Sequence, residues 1–197
     1  MTPHSPTTAD TARSERPAVR RLVVPLVFAA TAAVVLVADQ WSKAWAEATL
    51  PLLEQRPLLG PLLHLRLLYN SGAAFGMGAG ITPVVTAVQI LISAAVIVYM
   101  WRTVRSLGWT VALGLVLGGA LGNIHDRLLR PPGPFRGEVV DFLELPNWPV
   151  FNVADMAVVT GAVLVVLLSV LGVPAEGSAD EEPAARQATD DGPEGQR

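Results

Sequence analysis

The sequence predicts an α-helical integral membrane protein with four transmembrane helices, and three observations carry that reading. Of its 197 residues, 51% are apolar and only 16% charged, with a mean hydropathy of +0.44. That balance is too apolar for a water-soluble domain. Four apolar segments stand out, at about 21–38, 83–101, 108–122 and 153–173. Each is near the length that crosses ~30 Å of hydrocarbon at about 1.5 Å per residue. Third, the polar residues that border these runs gather at the ends of the first and third and the start of the fourth. Four alternating spans put all of those positions on one side of the membrane.

Taken in order, residues 1–18 are rich in Thr, Ser, Pro and Arg and carry no apolar period, so they read as a disordered tail. The first span has Arg20 and Arg21 before it and Ala44-Trp45-Ala46 after it, which superficially resembles a cleaved signal peptide. The apolar stretch is long for that role, the small residues lie beyond Asp39 and Lys43, and three more spans follow, so the segment reads as retained. The third span is the shortest and the richest in glycine, with Gly114, Gly118, Gly119 and Gly122. Small residues at that density let helices approach closely, which suits the middle of a bundle. The membrane domain covers 19–173. Beyond it, 174–197 is an acidic low-complexity tail in which seven acids face only Arg186 and Arg197.

Arg13, Arg16, Arg20 and Arg21 precede the first span, and Arg102 and Arg105 occupy the loop between the second and third. The positive-inside rule makes both cytoplasmic, with both termini cytoplasmic too. Lys43, Arg56 and Arg66 in one opposite loop, and Arg127, Arg130 and Arg136 in the other, weaken the asymmetry without reversing it.

The inventory excludes several chemistries. There is no cysteine, and His4, His64 and His125 are scattered, so no thiolate, disulfide or HExxH zinc site is expected. Neither a metal nor another cofactor is expected, and no basic patch points to nucleic acid. Gly72, Gly76, Gly78 and Gly80 follow Asn70 but lack the lysine and the strand–helix setting of a phosphate loop. Trp41, Trp45, Tyr69, Trp101, Trp109 and Trp148 mostly flank the spans, as an interfacial belt does.

What remains is oxygen chemistry. Asp39 and Lys43 form an i,i+4 pair that could simply support a helix end. Asn152 with Asp155 resembles an N-cap with an acid at N3, complementary to the helix dipole. Asp126 stands at a helix C-terminus, where the dipole disfavours an acid, so it needs Arg127 or another cation. Asp141, in EVVDFLEL, has no capping role; by alternation it shares a strand face with Val139 and Leu143, opposite Val140 and Phe142. Two carboxylates brought together need not both ionise, and such a pair can activate water and polarise a carbonyl. Composition permits that chemistry without requiring it. Intramembrane acids also mark ion pathways, but here they cluster on one face, with no internal repeat of the transporter kind. A structural or lipid-binding protein whose acids only cap helices is the other rival.

The motifs DQWSK at 39–43, YNSGAAFG at 69–76, GGALGNIHDR at 118–127, VVDFL at 139–143 and FNVAD at 151–155 together resemble the type II, or lipoprotein, signal peptidases of bacteria. That resemblance implies a small extracytoplasmic β-sheet, formed largely by about 47–80, and an active site at the outer face of the cell membrane. It implies an aspartyl endopeptidase that cuts diacylglyceryl-modified prolipoproteins just before the lipidated cysteine. Asp141 and Asp155 would be the catalytic pair. Asp39, Lys43, Asn70, Gly72, Asn123, Arg127 and Asn152 would line or support the substrate site, and Asp126 would orient Arg127. Partners would be the prolipoprotein substrate and membrane lipid, with the enzyme a monomer. FLELPNWPVFNVA, between the two acids, looks short for the family, and Pro146 and Pro149 should stiffen it.

Overall fold

The computed structural model describes residues 8–72 and 79–176. Its elements run α1 (Thr8–Thr49), β1 (Arg56–Leu59), β2 (Leu63–Asn70), a 3₁₀ turn (Ala79–Ile81), α2 (Thr82–Arg102), α3 (Leu107–Leu129), β3 (Val139–Glu144) and α4 (Val153–Val170). Among the described residues, four helices are long and apolar enough to cross a membrane: Leu22–Thr49, Thr82–Arg102, Leu107–Leu129 and Val153–Val170. Helix α1 also takes in residues 8–18, assigned from sequence to a tail. Much of the acidic tail, from 177 onward, lies outside the described residues.

Two spans outrun their expected ends. Helix α1 continues to Thr49 rather than stopping near 38, and α3 continues to Leu129 rather than 122. The charged residues that mark those ends in the sequence are paired inside the bundle, so they do not force the helices to stop. Apolar length alone cannot reveal that.

The glycine-rich α3 is the central helix, packed against α1, α4 and α2. A methyl group at Gly118 would sit 2.7 Å from the Ala32 carbonyl oxygen of α1, and one at Gly119 would collide with the Ala154 carbonyl of α4. The two glycines face different neighbours and set both approaches. Trp109, at the opposite end from the sheet, is buried rather than interfacial; its indole N–H donates to the Val173 carbonyl at 2.9 Å. We predict that Gly119→Val, which must push back the first turn of α4, destabilises the fold by about 1–3 kcal/mol or more. A thermal unfolding midpoint in detergent equal to wild type would refute this packing.

The three strands form one antiparallel sheet in the order β1-β2-β3. The segment 47–80 therefore supplies two strands, and the strand carrying Asp141 supplies the third. Val140 and Phe142 join Ala46 and Leu67 in an apolar cluster, and Trp45 of α1 meets Phe142 edge-on with ring centroids 6.4 Å apart. The alternation read from the sequence thus sends Asp141 the other way. After β3 the chain folds straight back: Phe151 N donates to the Leu143 carbonyl at 2.9 Å, and Leu143 N returns the bond at 2.9 Å. This short ladder closes the proline-containing loop and delivers Asn152 and Asp155 beside Asp141.

Candidate active site

The site forms where the C-terminal ends of α1 and α3, the N-terminus of α4 and strands β2 and β3 meet. Helix α4 opens with a full capping box. Asn152 Oδ1 accepts from Asp155 N at 3.0 Å, and Asn152 N donates to Asp155 Oδ2 at 3.1 Å. The cap expected from FNVAD is therefore present, and it also orients a carboxylate.

Asn152 then reaches across to the second acid, its Nδ2 donating to Asp141 Oδ1 at 2.6 Å. The other oxygen of Asp141 accepts from Asn70 Nδ2 at 2.9 Å, because β2 pairs Leu68 opposite Asp141 and Asn70 opposite Val139. The remaining oxygen of Asp155 accepts from Asn123 Nδ2 at 2.8 Å. Three asparagines thus aim N–H groups at two carboxylates, and Asn152 touches both. Asp141 is 1% exposed, and its carboxyl is pushed up to about 7, first by burial and then by the negative charge of Asp155.

Beneath the pair lies a fully buried ion cluster. Lys43 Nζ sits 2.8 Å from Asp39 Oδ2 and 2.8 Å from Asp126 Oδ2, and donates to Asn123 Oδ1 at 3.1 Å. Its three N–H groups have three acceptors. Because Asn123 Oδ1 receives Lys43 and also Asn152 Nδ2 at 3.2 Å, the amide of Asn123 must turn its N–H toward Asp155. Asp39 does more than pair with Lys43: its Oδ1 accepts from Ala154 N at 2.9 Å, fixing the first turn of α4.

One expectation is corrected here. Asp126 does not orient Arg127; it binds Lys43 and, at 2.8 Å, Arg130 Nε. Arg130 lies one helical turn on from Asp126 and is itself held 2.7 Å from Glu47 Oε1. Arg127 turns to backbone, donating to the carbonyls of Asn70 at 3.1 Å, Gly137 at 3.2 Å and Gly72. It pins the end of β2 and hence the asparagine that reaches Asp141. Gly72 contributes that carbonyl and donates its N–H to Asn70 Oδ1 at 3.0 Å; residues 73–78 of the glycine-rich stretch lie outside the described residues.

All ten residues selected from sequence therefore converge. Sequence reasoning missed Gln40, whose Nε2 donates to Asp39 Oδ2 at 3.1 Å, to the Gly122 carbonyl at 3.1 Å and to Asp126 Oδ1 at 3.3 Å. It also missed Arg130 and Glu47. The i,i+4 spacing of Asp126 and Arg130 was a usable signal; Glu47 offered none. His125 is exposed, with Nδ1 3.6 Å from Asp126 Oδ1, in keeping with a peripheral residue.

A family model described as signal peptidase (SPase) II matches residues 31–171. The chain is 47% identical over 173 residues to the lipoprotein signal peptidase of Mycobacterium avium (strain 104), covering 86% of this chain and 90% of that one. It is 45% identical over 161 residues to the lipoprotein signal peptidase of Rhodococcus jostii (strain RHA1), covering 81% and 78%. Its backbone matches a solved bacterial membrane enzyme with a TM-score of 0.66 at 28% identity, over 73% of this chain and 87% of the other. The matched region contains both acids, the three asparagines and the ion cluster, and on that footing this four-span chain belongs to the signal peptidase II family of membrane proteases.

Proposed function

We propose that the chain is an aspartyl endopeptidase that removes the signal peptide from diacylglyceryl-modified prolipoproteins, cutting just before the lipidated cysteine at the extracytoplasmic face. The observation that carries this reading is the pair of carboxylates tied together by Asn152 at one end of the bundle. The names of the relatives supply the substrate class. The arginines at 13, 16, 20, 21, 102 and 105 support cytoplasmic termini, which puts the pair on the outer side.

Asp155, at a helix N-terminus, carries the negative charge, and buried Asp141 carries the proton. Asp155 accepts a proton from the attacking water, whose oxygen bonds to the scissile carbonyl carbon. Asp141 meanwhile donates to the carbonyl oxygen. Collapse of the tetrahedral intermediate breaks the C–N bond, with the proton on Asp155 passing to the leaving cysteine nitrogen and Asp141 regaining its own. The acyl chains remain in the bilayer throughout, and the enzyme acts as a monomer.

The test is cleavage of a diacylglyceryl-modified prolipoprotein by the purified protein with chelator present, read by product mass. A cut before the lipidated cysteine is expected; no cut, or a cut elsewhere, overturns the reading. The pH profile adds a second check. A carboxyl raised to about 7 keeps its proton through acid pH and loses it around neutrality, so kcat/KM should fall as pH rises through that value. The contribution of this group to stability has the same sign: full below the ordinary carboxyl range and lost as pH rises through the raised value. The pair titrates as a unit, and a profile that climbs steadily from pH 6 to 9 would exclude a protonated Asp141.

A further inference from the structure

The edge of the sheet farthest from the acids carries apolar surface that the chemistry does not use. Leu52, Leu53, Leu58, Leu59 and Leu62 are 50–69% exposed, and all four residues of β1 are exposed. Side chains alternate along a strand, so the bare leucines are presented on both faces of the hairpin. The charges within 52–62 are Glu54 and Arg56, and these lie 3.6 Å from each other. In water such a surface would be an aggregation hazard.

We propose that the β1–β2 hairpin is an interfacial membrane anchor, its leucines immersed in the bilayer surface at this end of the bundle. Two features favour lipid over a protein partner. A partner docking on one face would leave the other wet, whereas lipid surrounds both. The sheet to which the hairpin belongs also meets the aromatic belt of α1, where Trp41 is 72% and Trp45 41% exposed. Trp45 packs edge-on against Phe142 of β3, so the sheet sits at the level of that belt, where aromatic residues mark the membrane–water interface. Because β1 pairs with β2 and β2 with the strand that holds Asp141, anchoring the hairpin fixes the depth of the acid. The anchor requires the four spans and not the assigned chemistry.

The absence of cysteine makes the test direct. Leu59→Cys and Leu62→Cys, each carrying a nitroxide label, are reconstituted in liposomes and relaxed with oxygen, which partitions into lipid, and with a water-soluble nickel chelate. Leu91→Cys on the exposed flank of α2 and Arg136→Cys in an exposed loop are the lipid and water references. Labels at 59 and 62 should respond as at 91, with oxygen relaxing them more than nickel. A nickel response like that at 136 overturns the proposal, as does shielding from both reagents, which would mark a protein contact such as a second copy.

Discussion

Replacing either acid by its amide, Asp141→Asn or Asp155→Asn, is expected to abolish cleavage while leaving a folded protein. Positioned acid–base groups contribute roughly 10²–10⁴-fold each, and in the proposed mechanism each acid serves in both halves of the reaction, so a loss of about 10³-fold or more in kcat is expected. The substitution is not structurally silent. Asp141 accepts from Asn70 through one oxygen and from Asn152 through the other, whereas an amide has only one acceptor. One donor would then face an NH₂ group, at a cost of about 1–3 kcal/mol for the unsatisfied buried group. The same holds at 155, where Asn123 and the backbone of Asn152 occupy the two oxygens. The variants should therefore show a modestly lowered unfolding midpoint together with complete loss of turnover. A kcat within tenfold of wild type in either variant would remove that residue from the chemistry. Asp126→Asn separates the classes: it touches neither acid directly, so its loss should follow stability rather than the pH profile.

The sequence made the periodic and local features legible, and left the long-range pairings dark. The spans, the alternation around Asp141 and the cap formed by Asn152 and Asp155 all follow from spacing within a few residues. So does the central position of α3, because glycines at 118 and 119 have no other use in an apolar helix. The partner of Asp126 was another matter. Adjacent Arg127 looked like its counterion, but neighbours in a helix point about 100° apart and do not face each other. Of the two cations that do reach Asp126, Arg130 lies one turn on in the same helix, whereas Lys43 comes from α1, 83 positions earlier, and only the packed bundle brings it there. The same limit hid Glu47, which meets Arg130 across the same interval of sequence. Helix ends were misplaced for a related reason: Asp39 and Asp126 look like stops until their buried partners are known.

Lys43 is where those hidden contacts have their largest consequence. Its ammonium is fully buried among Asp39, Asp126 and Asn123, and Asp126 has Arg130 as a second cation while Asp39 has no other among the described residues. Lys43→Met therefore leaves Asp39 as an uncompensated buried charge, and breaking such a pair from one side typically costs about 3–5 kcal/mol. The single variant should unfold far below wild type or fail to accumulate. Asp39→Asn added to Lys43→Met removes the stranded charge and keeps an oxygen for the Ala154 N–H, so the double variant should regain more than half of the lost stability. Its activity should not return with it. Without the ammonium, one hydrogen bond that turns the Asn123 amide toward Asp155 is gone, and kcat should stay depressed in protein that is folded. If the double variant is no more stable than Lys43→Met, the Lys43–Asp39 pair is not what holds this end of the bundle. If it regains both stability and full turnover, Lys43 serves the fold alone, and the orientation of Asn123 is set by Asn152 without it.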